Sequence, residues 1–134
     1  EYTITWTHTD DTWTWTLEYT GDGESTTTVI TVAAVDAGWS LTVVQDGTLL
    51  LEGTLNQDGS VGEVTLYPGD GSYFEGEWGP SSNPAYDLGY VVRYYSAGGE
   101  LQQELIMNYT SDGSAGEWIY TDYTDESPDG SGTW

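Results

Sequence analysis

The chain has 134 residues and a mass of 14.6 kDa, enough for a single domain with a core of its own. Twenty-three Asp and Glu against one Lys or Arg give a net charge of −22, which excludes a basic patch for nucleic acid or anionic lipid; the absence of Cys excludes disulfides and thiolate chemistry. A single His excludes multi-histidine zinc sites, and no apolar run approaches the ~18–20 residues of a membrane-spanning helix.

Residues 1–20 alternate strictly. Tyr2, Ile4, Trp6 and His8 take one side of a strand, and Thr3, Thr5, Thr7 and Thr9 the other. A two-residue turn at Asp10-Asp11 pairs Thr9 with Thr12, His8 with Trp13, Trp6 with Trp15, Ile4 with Leu17 and Tyr2 with Tyr19. One face of that hairpin is then aromatic and aliphatic apart from His8, and the other is threonine with Glu18. Asp-Asp is a poor type I′ pair, so a turn longer by a residue or two is also compatible.

Turn signals follow at Gly21-Asp-Gly23, Asp36-Ala-Gly38, Asp46-Gly47, Asp58-Gly59, Pro68-Gly-Asp-Gly71, Ala97-Gly-Gly99 and Asp112-Gly113, with one longer loop from Gly79 to Asp87. The segments between them predict strands over 26–35, 39–45, 48–55, 61–67, 72–78, 88–96, 100–110 and 117–124. Residues 100–109 are the one stretch that is also helix-friendly by propensity. The expectation is a single all-β domain over 1–134: an antiparallel meander of about ten short strands forming a barrel or sandwich, with no substantial helix.

A phrase recurs: Asp58-Gly-Ser-Val-Gly-Glu-Val, Asp70-Gly-Ser-Tyr-Phe-Glu-Gly-Glu-Trp, Asp112-Gly-Ser-Ala-Gly-Glu-Trp and Asp129-Gly-Ser-Gly-Thr-Trp. It reads as a turn, a glycine and an aromatic or apolar residue entering a strand. The last copy stops at Trp134, and Glu1-Tyr-Thr-Ile-Thr-Trp would continue it, so the sequence looks cyclic. Either the last segment lies beside the first strand in a closed sheet, or one subunit leads into the next. Residues 29–35, 41–44, 49–51 and 90–95 are apolar on both faces, which calls for a second layer.

Catalytic constellations are weak. His8 lies on an aromatic strand face, no Gly-x-Ser-x-Gly elbow is present, and the neighbouring Glu75 and Glu77 are two acids among many. No enzymatic activity and no required cofactor are expected. Calcium is the one cation the turns suggest, through Asp10, Asp11, Asp22 and Asp70, although no Asp-x-Asp-x-Asp-Gly loop occurs. Asn108-Tyr-Thr110 is a glycosylation sequon, placed by alternation opposite Leu105, Met107 and Tyr109 and so expected to be accessible.

The resulting expectation is a secreted, non-catalytic structural protein, the subunit of an extracellular filament or surface assembly built by strand or sheet complementation between copies. Tyr2, Ile4, Trp6 and Trp134 are the expected subunit contacts. Its acidic, halophilic-type surface suits a salty medium outside the cell. The start at Glu1 rather than Met fits a chain from which a leader has been removed. In length, β content and aromatic load the chain also broadly resembles carbohydrate-binding modules. That alternative makes Trp39, Trp78, Trp118, Tyr94 and Tyr95 a stacking platform for extracellular polysaccharide. A lipocalin-like barrel with a ligand cavity is the third reading.

Overall fold

The strict alternation of residues 1–20 dictates where the sheet begins. In the computed structural model, which describes residues 1–134, Tyr2–Thr9 (β1) pairs with Thr12–Gly21 (β2) in the expected register, Tyr2 opposite Tyr19 and His8 opposite Trp13. The turn stays at two residues, with Asp10 at φ 51. Two later hairpins turn at Asp22-Gly23 and Asp46-Gly47. There φ is positive at both central residues, the geometry that matches strand twist and that Asp-Gly tolerates.

The remaining strands are Glu24–Val35 (β3), Gly38–Gln45 (β4), Thr48–Asn56 (β5), Gly62–Leu66 (β6), Tyr73–Pro80 (β7), Leu88–Tyr95 (β8), Leu101–Tyr109 (β9), Gly116–Asp122 (β10) and Gly130–Thr133 (β11). All pair antiparallel with their sequence neighbours in one 11-stranded sheet ordered β1 to β11. Residues 101–109 are strand, so the β alternation of Leu105, Met107 and Tyr109 prevails over helix propensity. Main-chain register shifts occur only at Val43/Val44 and Tyr94/Tyr95.

Two expectations change. The sheet is open: β1 pairs only with β2 and β11 only with β10, so neither a barrel nor a lipocalin-like enclosed cavity forms. A short glycine-rich β11 of four residues cannot partner an eight-residue β1 along its length. There are eleven strands rather than about ten, because the last copy of the recurring phrase forms its strand before Trp134 and not after it.

The register sorts side chains onto two faces. Tyr2, Ile4, Trp6, Trp13, Trp15, Leu17, Ile30, Val32, Leu41, Val43, Leu55, Val64, Trp78, Tyr90, Val92, Leu105, Met107 and Trp118 share one face. The other carries the threonines of β1 and β2, then Glu52, Glu63, Glu75, Glu77, Arg93, Glu104 and Glu117, with Val91, Ile106 and Ile119 forming an apolar row across β8 to β10. No second layer covers either face. Only 6 of 134 residues are buried and none is a large hydrophobic. The accessible surface is 8580 Å², about 1,700 Å² above the ~6,900 Å² expected for a compact monomer of this mass.

Apolar side chains therefore shield one another sideways. Trp78 on β7 lies across Gly62 on β6, Trp134 across Gly116 on β10, and Trp118 across Gly130 and Gly132 on β11. A β-carbon at Gly62 would sit 2.2 Å from the Trp78 ring, and one at Gly116 2.2 Å from the Trp134 ring. Two of these indoles also tie down the turn before their glycine: Trp78 Nε1 donates to the Gly59 carbonyl at 2.9 Å and Trp134 Nε1 to the Gly113 carbonyl at 3.3 Å. The recurring phrase is thus a structural unit. Its Asp accepts from both the amide and the hydroxyl of the Ser two residues on (Asp58–Ser60, Asp70–Ser72, Asp112–Ser114), and Asp122 does the same with Thr124. In the Asp58 and Asp112 copies the second glycine, Gly62 or Gly116, leaves room for a tryptophan from further along the chain, Trp78 or Trp134.

Replacing Gly62 with Ala must push the Trp78 ring off its neighbour. We expect Gly62→Ala to cost roughly 1–3 kcal/mol in urea unfolding, while Gly98→Ala, whose nearest atom is 3.7 Å away, stays near neutral. The turn acids predict acid sensitivity. Donors from Ser114 and Thr110 lower the Asp112 carboxyl to about 2, and the Ser or Thr partners lower Asp58, Asp70 and Asp122. Because the folded state favours the charged form, this contribution is present above the ordinary Asp value and is lost as pH falls toward 2. The urea midpoint should decline between about pH 4 and pH 2, less steeply in Asp112→Asn.

Candidate functional site

The exposed edge strand is the feature least explained by the fold itself. All eight residues of β1 are exposed, with Tyr2 at 81%, Ile4 at 68% and Trp6 at 66%. Tyr2 packs on Tyr19 with ring centroids 4.8 Å apart, and His8 stacks on Trp13 at 4.6 Å and 13°. Those contacts hold the inner side of each ring and leave its outer side uncovered. His8 is therefore an aromatic-stacking residue, with no hydroxyl nucleophile or carboxylate bonded to it among the side-chain hydrogen bonds. The fourth expected contact, Trp134, is 53% exposed but lies at the opposite edge of the sheet, spent partly on covering Gly116. The structure therefore brings Tyr2, Ile4 and Trp6 together and separates Trp134 from them.

The expected stacking aromatics divide. Trp39, Trp78 and Trp118 fall in one row across the apolar face: Trp39 is opposite Leu55, Leu55 opposite Gly62, Gly62 opposite Trp78, Trp78 opposite Tyr90, Tyr90 opposite Met107 and Met107 opposite Trp118. The three indoles recur every third strand, about 14 Å apart at the usual strand spacing. Tyr94 is on the same face, packed on Phe74 at 4.8 Å. Tyr95 is on the other face, stacked on Tyr73 at 4.6 Å, so it cannot join the same platform. Trp39 also leans on Trp13 at 5.6 Å. Burial of the Tyr95 ring and the nearby Glu75 carboxylate raise its hydroxyl above the usual tyrosine value.

On the polar face the only base is central. Arg93 Nε donates to Glu104 at 2.7 Å and Nη1 to Glu77 at 3.1 Å, from the strands on either side. Both carboxylates, Glu104 first, raise the guanidinium above its usual value. Glu77 is thus committed to an ion pair, and Glu75 is left beside Tyr95. Nearby, an open hollow of ≈ 660 Å³ is lined by Val35, Thr54, Glu63, Glu77, Val91 and Asn108 among others.

Asn108 corrects an expectation. It does lie opposite the Leu105 face, but it is only 3% exposed. Its Nδ2 donates to Glu117 at 3.0 Å and its Oδ1 accepts from Ser81 at 2.7 Å, while Asn83 donates to the same Glu117 oxygen at 2.8 Å. The side chain pins the loop between β7 and β8 and is shielded from solvent rather than accessible. Sequence reasoning missed this network because it joins residues up to 34 positions apart; the polar run Ser81-Ser82-Asn83 was the only local sign.

The acids considered for calcium do not converge. Asp10 and Asp11 turn β1 into β2, Asp22 sits at the far end of β2, and Asp70 belongs to the loop between β6 and β7, where it accepts from Ser72. No group of three or more His, Cys, Asp or Glu side chains is arranged to hold a metal. No helix long and apolar enough to cross a membrane is present.

No protein-family model, curated protein or solved structure matches this chain.

Arg93→Gln leaves Glu104, 16% exposed, without its cation. Stability should fall by about 1–2 kcal/mol. Added salt should recover only part of the loss, since a half-buried pair is screened less than a surface one; urea unfolding at two salt concentrations checks this.

Proposed function

We propose that this chain is a secreted, non-catalytic structural protein, the subunit of an extracellular assembly in which the sheet of one copy is completed by another. The observation that carries the reading is the uncovered surface. An 11-stranded sheet with no buried large hydrophobic presents an apolar face and a bare edge from the same strand. A second copy laid on that face would make the sandwich that one copy lacks, and a copy added at the edge would extend the ladder. The −22 charge opposes contact at low salt and is screened at higher salt, which suits assembly in a saline medium. Tyr2, Ile4 and Trp6 are the residues best placed to be covered.

The row of Trp39, Trp78 and Trp118 supports a second reading, an extended polysaccharide stacked along the apolar face. It predicts a monomer that is retained by polysaccharide and released when Trp39 or Trp118 becomes Ala.

Sedimentation and electron microscopy across salt concentration test the first reading. Oligomers or filaments should appear as ionic strength rises past roughly 0.15 M, and removal of residues 1–9 should abolish them while the remaining strands stay folded by circular dichroism. A chain that is monomeric at every salt concentration overturns this function.

A further inference from the structure

We infer that β1 pairs with β1 of a second copy, antiparallel and about a twofold axis through Thr5, joining two sheets into one. The inference rests on the assembly reading and specifies its first contact.

The direction of the free main-chain groups sets the geometry. The Thr20 amide donates to the Glu1 carbonyl and the Glu1 nitrogen to the Thr20 carbonyl, so Glu1 and Thr20 form a hydrogen-bonded pair. Such pairs alternate along an antiparallel ladder. Thr3, Thr5, Thr7 and Thr9 therefore bond inward to β2. Tyr2, Ile4, Trp6 and His8 direct their amides and carbonyls outward, and nothing in the chain meets them.

Natural edge strands are blunted by charge, proline, a bulge or shortness. β1 has none of these. It runs for eight residues without a register shift, and from Tyr2 to Thr9 it contains no acid in a chain that has 23. The other edge is different: Trp134 and Gly116 exchange main-chain bonds, so only Ser131 and Thr133 of β11 face outward, and the loop before them carries Asp125, Glu126 and Asp129. A β1–β11 junction would leave half of the β1 edge unpaired.

A β1–β1 pair leaves no outward group over. With Thr5 opposite Thr5, Tyr2 meets His8 and Ile4 meets Trp6 of the other copy, twice each by symmetry, giving about eight hydrogen bonds. Parity is kept, so the apolar faces of both copies lie on the same side, and aromatic and β-branched residues meet across the seam. On the opposite side only threonines meet. Acids approach one another solely at the ends of the seam, where Glu1 of one copy nears Asp10 of the other, so pairing strengthens with salt.

The chain has no cysteine, so single-cysteine variants report the register directly. In the full chain at high salt, under mild oxidation, Thr5→Cys should form a disulfide-linked dimer about tenfold or more faster than Thr3→Cys, because only position 5 meets itself at bridging distance. Thr3→Cys mixed with Thr7→Cys should cross-link as readily as Thr5→Cys. Equal, slow cross-linking of all three in a protein that still assembles by sedimentation overturns the β1 pairing and leaves the assembly function standing. A protein that neither cross-links nor assembles at any salt overturns both. In parallel, Ile4→Pro removes an outward amide without touching a β2 bond and should give a folded monomer; a folded Ile4→Pro protein that dimerises like the parent also overturns the pairing.

Discussion

In this sheet a large side chain hides its apolar surface by lying across the neighbouring strand, since there is no second layer to bury it. Trp78 over Gly62, Trp134 over Gly116 and Trp118 over Gly130 and Gly132 are the clearest cases. Everything else follows from that constraint. Strands stand ~4.8 Å apart, so only a long planar side chain reaches the next one, and it lies flat only where the facing residue has no β-carbon. The composition reflects it: seven Trp, eleven Tyr and eighteen Gly, but one Phe. An indole suits the role better than a phenyl because its N–H finds a turn carbonyl, as Trp78 does at Gly59. The ladder carries the remainder, with 72 of 88 main-chain hydrogen bonds inside the strands.

Charge is distributed in keeping with this architecture. The acids are spent on turns and on the polar face, where a single base holds the centre between Glu77 and Glu104. Turn aspartates accept from the Ser or Thr two residues on, so part of the negative charge is stabilised locally without any cation. What is left without charge is β1 and the apolar face behind it. A protein that repels its copies almost everywhere has kept one uncharged, regular edge. In the assembly we propose, that edge is met by another copy and ionic strength controls the encounter.

The two edges are unequal, and that inequality shapes any assembly. β1 offers four residues whose main-chain groups point outward and β11 offers two, flanked by acids. A head-to-tail polymer would match a long donor to a short acceptor. A symmetric junction at β1 instead uses the longer edge fully and frees the apolar face, along which Trp39, Trp78 and Trp118 lie in a row, for a second contact or for a sugar chain.

How much was legible from the residues depended on range. The first hairpin could be paired residue by residue, because a two-residue turn and a period of two leave only one register that keeps Trp, Tyr and Leu together. The meander followed from short connections. Asn108 defeated such local reading, since its partners Ser81 and Glu117 come from another loop and strand. β11 was missed as well, because Gly-Ser-Gly-Thr has little strand propensity and is ordered by pairing with β10 and by Trp118. The sequence alone determined the antiparallel meander and the register and faces of the first hairpin, set by neighbours within some twenty residues. Only the tertiary structure decided that the sheet stays open and that its aromatics fold over glycines, because closure and coverage depend on whether strands far apart in the chain have edges that fit.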